Sequence, residues 1–305
     1  MNILIATEKP FSAAAVAQIR SVLEDAGHKV TLLEKYKDAS ELHAAVADAD
    51  ALIVRSDIVD KAVVDAAGKL KIVVRAGAGY DNIDLKATAD RGIVVENTPG
   101  QNANAVAELV MGLAIMAARN KYAGTTGFEL GGKRLGLHAF GAVSRNVVPK
   151  AKGFGMTVTA YDPYCPEEAM LAAGVAVASD LKALYAGNDL VSIHIPATVE
   201  TRGSIGRELI ESMPKGAVLI NTARKEVINE AELEQVLAER PDLKYYADVR
   251  PGNADVLLER FADRVFFTPK KSGAQTAEAN LNAGVAAARQ IADFFATGST
   301  KYKVN

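Results

Sequence analysis

Residues 132–162 read G-K-R-L-G-L-H-A-F-G-A-V-S-R-N-V-V-P-K-A-K-G-F-G-M-T-V-T-A-Y-D. An apolar run, Leu135 to Phe140, is followed at once by Gly141, and Ser144 to Gly153 has helical spacing. A second strand-like run, Met156 to Tyr161, ends on Asp162. Strand, tight turn, helix and strand, with an acid about 20 residues past the turn, is the layout of a dinucleotide site. The three glycine positions of the usual G-x-G-x-x-G are Ala139, Gly141 and Ser144. Gly141 keeps the close backbone approach to a pyrophosphate, and Ala139 is a small change. Ser144 puts a hydroxymethyl group where helix and strand usually pack closest, which predicts a slightly displaced helix. The alternative is a βαβ unit with no cofactor.

Other side chains capable of chemistry fall at predicted strand ends. Arg224 follows the strand Ala217 to Ile220 and could fork two hydrogen bonds onto a carboxylate; it could equally be a surface arginine paired with Glu226 or Glu230. Lys270 and Lys271 lie between the last strand and the last helix, as a proton relay, an anion clamp or a solvated basic turn. Asp248 ends a strand and could bond a nicotinamide amide, or simply start a loop. His194 ends a strand and is a candidate for the wall of a cofactor cleft. His138 lies within a strand and reads as a satisfied core histidine, and His28 and His43 read as surface residues. Cys165 is the only cysteine, which predicts a reduced thiol without an internal disulfide. No histidine–cysteine spacing suits a metal.

The elements that must hold these residues are an alternation of strands and helices. Asn2 to Thr7, Lys29 to Leu33, Ala51 to Arg55, Ile72 to Arg75 and Ile93 to Asn97 are short β-branched runs, separated by segments of helical spacing. This predicts a parallel sheet with helices on both faces and ligands beyond the strand carboxyl ends. Arg55-Ser56-Asp57 and Arg75-Ala76-Gly77-Ala78-Gly79-Tyr80-Asp81 fall there. Asn102 to Arg119 is predicted to be a helix whose interior, Val106 to Ala118, is apolar nearly all round, and so to pack between domains. The second half repeats the architecture without repeating the sequence. Its strands are predicted near Val175 to Ala178, Leu190 to Ile193, Ala217 to Ile220, Lys244 to Ala247 and Val265 to Phe267, and a helix from Thr276 to Ala296 closes the chain.

A chain of 305 residues predicts about two domains. A net charge of −2 gives no general attraction for nucleic acid or an anionic membrane. The longest apolar run, Leu109 to Ala118, is too short to span a bilayer. The N-terminus begins as a strand without a basic leader, which predicts a cytoplasmic protein.

Several motifs together resemble the D-2-hydroxyacid dehydrogenase family. They are Val74-Arg75-Ala76-Gly77-Ala78-Gly79-Tyr80-Asp81-Asn82-Ile83-Asp84, Asn97-Thr98-Pro99 with Val106-Ala107-Glu108-Leu109, Asp162, His194-Ile195-Pro196, Asn221-Thr222-Ala223-Arg224 and Thr268-Pro269. Within the family, Ala6-Thr7-Glu8-Lys9-Pro10-Phe11, Asn97-Thr98-Pro99-Gly100-Gln101-Asn102, Ala223-Arg224-Lys225-Glu226-Val227-Ile228 and Gly273-Ala274-Gln275-Thr276 resemble a short group of D-3-phosphoglycerate dehydrogenases without C-terminal regulatory domains. The resemblance implies two doubly wound α/β domains. A Rossmann NAD-binding domain, 99–286, would be inserted in a flavodoxin-like substrate domain, 1–98 plus 287–305. It also implies NAD-dependent oxidation of D-3-phosphoglycerate to 3-phosphohydroxypyruvate, the first step of phosphorylated serine biosynthesis, by a homodimer whose interface uses the apolar helix. Another 2-hydroxyacid reductase, acting on glyoxylate or hydroxypyruvate, is the nearer alternative; an NAD-binding scaffold without activity is the further one.

Residue by residue, the resemblance implies that Arg224 holds the substrate carboxylate. The amides of Ala76, Gly77, Ala78 and Gly79 would help, and Arg55, Ser56 and Asn102 would surround the phosphate. Gly141, Ala142, Val143, Asp162, His194, Thr222, Ala223, Arg224, Asp248 and Gly273 fall at cofactor positions, with Asp162 on the ribose favouring NAD over NADP. Most of the family has T-P-H and a glutamate about five residues after the aspartate; here Thr268-Pro269 is followed by lysines and that position is Asn253. The short group uses lysine for the histidine. Counting from Pro269 selects Lys270 and counting back from Gly273 selects Lys271, which is taken as the proton relay. Lysine ordinarily titrates near about 10.4, so such a relay relies on burial or neighbouring cations, and oxidation should strengthen at alkaline pH.

Overall fold

Five short aliphatic runs form the first sheet of the computed structural model, which describes all 305 residues. The strands are β1 (Asn2–Thr7), β2 (Lys29–Glu34), β3 (Ala51–Val54), β4 (Ile72–Arg75) and β5 (Val94–Asn97). They pair in parallel in the order β2-β1-β3-β4-β5, the flavodoxin-like arrangement. Helices α1 (Ala13–Asp25), α2 (Ala39–Val46), α3 (Lys61–Ala66) and α4 (Leu85–Asp90) connect them. Local chemistry sets the helix starts: Ser12 caps α1, and Asp38 with Glu41 forms a capping box on α2. Every residue of β3 is buried, as expected for a strand covered on both faces.

The second sheet begins after α5 (Ala103–Ala118). Its elements run β6 (Arg134–His138), α6 (Ala142–Gly153), β7 (Thr157–Tyr161), α7 (Glu167–Ala172), β8 (Ala176–Val177), α8 (Leu181–Gly187) and β9 (Leu190–Ile193). Then come α9 (Arg207–Ser212), β10 (Val218–Asn221), α10 (Glu230–Glu239), β11 (Lys244–Ala247), α11 (Ala254–Phe261) and β12 (Val265–Phe267). The sheet is parallel with order β12-β11-β10-β9-β6-β7-β8, so the chain reverses direction between β6 and β9. That is the Rossmann switch point, where ligands of such sheets sit. The two sheets share a layer principle but not a strand order, so the second half is not a copy of the first.

The compact units are residues 1–102 with 276–305, and residues 103–275. The chain's last helix, α12 (Ala277–Thr297), therefore belongs whole to the first unit, rather than from 287 onward. Its buried residues Ala283, Ala287, Ala288 and Ile291 pack with Phe11, Ile19 and Val74 into one core. Cutting the helix at 286 would split that face. Helix α5 packs within the second unit, against α6 and the strands β10 and β11.

After α12 the chain runs antiparallel along β5. Val304 donates to the Val95 carbonyl, the Val95 amide donates to the Asn305 side chain, and the backbones of Glu96 and Lys303 form an isolated antiparallel bridge. This covers an edge that would otherwise expose unpaired backbone groups. No helix is long and apolar enough to cross a membrane, and no group of three or more His, Cys, Asp or Glu could hold a metal ion.

Candidate functional site

In the second unit the strand carboxyl ends carry most of the sequence-selected residues. Gly141 is the N-cap of α6, with Ala142 and Val143 in its first turn. A Cβ built at Gly141 would meet nothing within 4 Å, so open space lies against this backbone. Ser144 is fully buried and its hydroxyl donates to the Ala139 carbonyl at 2.7 Å. The hydroxymethyl group is thus accommodated by a hydrogen bond to the turn. Of the two altered glycine positions, the strained one is Ala139, whose φ is +86°. Asp162 follows β7 and accepts from the Phe140 amide at 2.8 Å and the Tyr164 amide at 2.9 Å. Each oxygen keeps a further acceptor site.

His138 ends β6 and is 6% exposed, with Nδ1 3.1 Å from the Tyr185 hydroxyl. Burial lowers its pKa to about 4, partly opposed by Asp162. His194 follows β9, where its amide donates to the His138 carbonyl. Burial, with His138 nearby, lowers its pKa to about 3, and its Nε2 is buried without a protein partner. Unfolded histidine titrates near about 6.5, so in both cases the folded state takes up its proton later. The stability this confers is complete above that pH and is lost as pH falls from there towards about 4 for His138 and about 3 for His194. Urea unfolding at pH 7 and pH 5 should show a weaker protein at pH 5, and His138→Gln should make the slope shallower. An unchanged slope in that variant would remove His138 from the explanation.

Arg224 follows β10 in extended backbone. The turn before it is fixed by fully buried Asn221, whose side chain accepts from the Ala223 amide and donates to the Arg224 carbonyl, both at 2.9 Å. Arg224 Nη1 donates to the Ala223 carbonyl at 3.0 Å. Thr222 is buried and its Oγ1 has no protein partner. Sequence reasoning passed over Asn221 as a holder of this turn, although a buried amide at a strand end was a usable signal.

Asp248 follows β11 and is 1% exposed. Its Oδ1 accepts from the Thr268 hydroxyl at 2.9 Å and the Ser272 amide at 2.7 Å, and its Oδ2 from the Gly273 amide at 2.7 Å. The carboxylate therefore ties down the loop that carries Lys270 and Lys271. A Cβ at Gly273 would come within 2.9 Å of Asp248 Oδ2, so the close approach needs glycine. Both lysines are exposed, so the burial expected around a lysine relay is absent. Arg224, Lys225, Arg250, Lys270 and Lys271 line one cavity of about 330 Å³, against Glu226 and Asp248. Asn253 donates to the Glu230 carbonyl and to Glu234.

The first unit places its candidates differently. Arg55 Nη1 donates to the Lys9 and Pro10 carbonyls and Nη2 to Asn280 at 2.5 Å, with the guanidinium over the Phe11 ring. Its two terminal nitrogens thus tie the loop after β1 to α12 instead of being held out for a phosphate. Ala76 donates to the Val54 carbonyl and Gly77 to the Arg75 carbonyl. The expected row of amide donors accordingly narrows to Ala78 and Gly79. Ser56 is exposed and Asn102 half-buried.

The model of the D-isomer specific 2-hydroxyacid dehydrogenase catalytic domain matches residues 8–305. The chain belongs to this family. Among members of the family, a D-3-phosphoglycerate dehydrogenase of Methanocaldococcus jannaschii is 39% identical over 287 residues, covering 88% of this chain and 54% of that protein. The chain thus spans about half the length of that relative. A hydroxypyruvate reductase of Thermotoga maritima is 36% identical over 285 residues, covering 86% and 90%. The structure of NAD+-bound 3-phosphoglycerate dehydrogenase from Entamoeba histolytica superposes with a TM-score of 0.90 at 46% identity, covering 100% of this chain and 98% of that one.

Proposed function

We propose that the protein oxidises D-3-phosphoglycerate at C2 with NAD. The observation that carries the phosphorylated substrate is the second unit's cavity. Five cations line it, of which Arg250 is paired with Asp255, against two carboxylates, one of which is engaged by its own loop. A simple hydroxyacid carries one negative charge and needs one fork; a phosphorylated one carries about three and draws on the rest. The relatives named for 3-phosphoglycerate support the same reading.

The cofactor half of the proposal rests on fit. Open space at Gly141, the start of α6 and the unpartnered Thr222 Oγ1 and His194 Nε2 suit a polar dinucleotide. Asp162 would hold the ribose hydroxyls and repel a 2′-phosphate. NAD, when bound, supplies the hydride acceptor. Arg224 would fork onto the substrate carboxylate and polarise the C2 oxygen. Lys271 would take the hydroxyl proton as oxidation proceeds.

The test is absorbance at 340 nm with 3-phosphoglycerate, glycerate, glycolate and D-lactate, each with NAD and with NADP. The expected outcome is NAD-dependent turnover with kcat/KM highest for 3-phosphoglycerate. Equal or better turnover of glycerate would point instead to a hydroxypyruvate reductase. A flat trace with every substrate, beside calorimetric NAD binding, would support a scaffold.

A further inference from the structure

In the turn between β6 and α6, sequence and backbone disagree. Ala139 has φ +86°, in the region where a Cβ is crowded and glycine is preferred. Two side chains grip the peptide bond that follows. Its carbonyl oxygen accepts from Ser144 Oγ at 2.7 Å, and its N–H, that of Phe140, donates to Asp162 Oδ2 at 2.8 Å. On the other side of Ala139, its own amide donates to the Tyr161 carbonyl at 2.9 Å. Ser144 is 0% exposed, so its hydroxyl is enclosed by the turn it bonds.

A peptide plane held at both ends cannot swing. Glycine at 139 would take this conformation without help, and glycine at 144 would leave the carbonyl without its donor. The residues at these two positions are therefore interdependent: alanine at the first is tolerated because serine at the second fixes the result. We propose that Ser144 is a positioning residue for the cofactor turn, its hydroxyl holding the Ala139–Phe140 peptide so that the amides opening α6 point at a dinucleotide pyrophosphate. Asp162 is the other jaw of the clamp, which joins the ribose-binding acid to the pyrophosphate turn. The proposal rests on the NAD reading of the second unit.

The experiment is calorimetric titration of NAD into the full chain and into Ser144→Ala, Ala139→Gly and the double variant, with thermal unfolding of all four. Ser144→Ala should weaken NAD binding roughly 3–10-fold, the worth of one buried hydrogen bond. In the Ala139→Gly background the same change should cost less than about twofold, because glycine keeps the positive φ unaided. Ser144→Ala should also lower Tm by roughly 2–4 °C, an effect that shrinks beside Gly at 139. KM for NAD should follow the affinities while KM for the hydroxyacid stays put. If the parent binds NAD and Ser144→Ala costs the same in both backgrounds, or nothing in either, the proposal alone is overturned. If the parent does not bind NAD, the cofactor role of Ser144 and the NAD reading fall together.

Discussion

Lys271→Met is expected to lower kcat for hydroxyacid oxidation by about 10²–10⁴-fold, the usual worth of a positioned acid–base group, and to leave NAD affinity unchanged. Lys270→Met should cost far less. Both lysines line the cavity with Arg224, so proximity alone does not separate them. Anchorage does. Asp248 holds the amides of Ser272 and Gly273, which makes Lys271 the immediate neighbour of a fixed backbone. Lys270 lies one residue further from the clamp, its carbonyl held by the Ser272 hydroxyl at 2.8 Å. A relay atom must stay within hydrogen-bond reach of the proton it moves, so the lysine that adjoins the amides held by Asp248 is assigned the role. Steady-state oxidation from neutral to alkaline pH, with NAD titrations alongside, checks this. The alkaline rise should vanish in Lys271→Met and persist in Lys270→Met. The reverse pattern would move the relay by one residue. Asp248→Ala should resemble a weaker Lys271→Met, because it frees the loop without removing the amine.

How far the sequence alone carried this site depends on what each residue's partner is. Strands such as Asn2–Thr7, Leu190–Ile193 and Lys244–Ala247 lie where the β-branched and aromatic runs put them, since a buried parallel strand writes its own pattern. Ends of elements were legible where a cap is local, as at Thr276 before α12. The strand order came only with the family resemblance, because the reversal at β6 and β9 is decided by crossovers rather than by any residue type. The same holds for side chains whose partners are remote in the chain. Arg55 at a strand end looked like an anion ligand, yet its partner Asn280 is on the last helix. Asp248 looked like a cofactor ligand, while its partners are the amides of the lysine loop. Ser144 looked like a defect in a glycine pattern; only the backbone angle at Ala139 shows what its hydroxyl does.

Arg224→Ala should reduce kcat/KM by about 10²–10³-fold, the cost of removing one partner from a desolvated, hydrogen-bonded charge pair. The side chain is well placed for a demanding role. Fully buried Asn221 closes the turn on both sides of it, and Arg224 Nη1 is steadied by the Ala223 carbonyl at 3.0 Å. A guanidinium held this way loses little further freedom on meeting a carboxylate, so its hydrogen bonds are realised nearly in full. Arg224→Lys separates charge from shape. Lysine restores a cation but not the planar fork, and should recover only a small part of the loss, with kcat still depressed if the fork also polarises the C2 oxygen. Full recovery by lysine would reduce Arg224 to a point charge among the other cations of the cavity. Activity of Arg224→Ala within about fivefold of the parent would remove it from the chemistry, since that loss is no larger than one rim charge contributes.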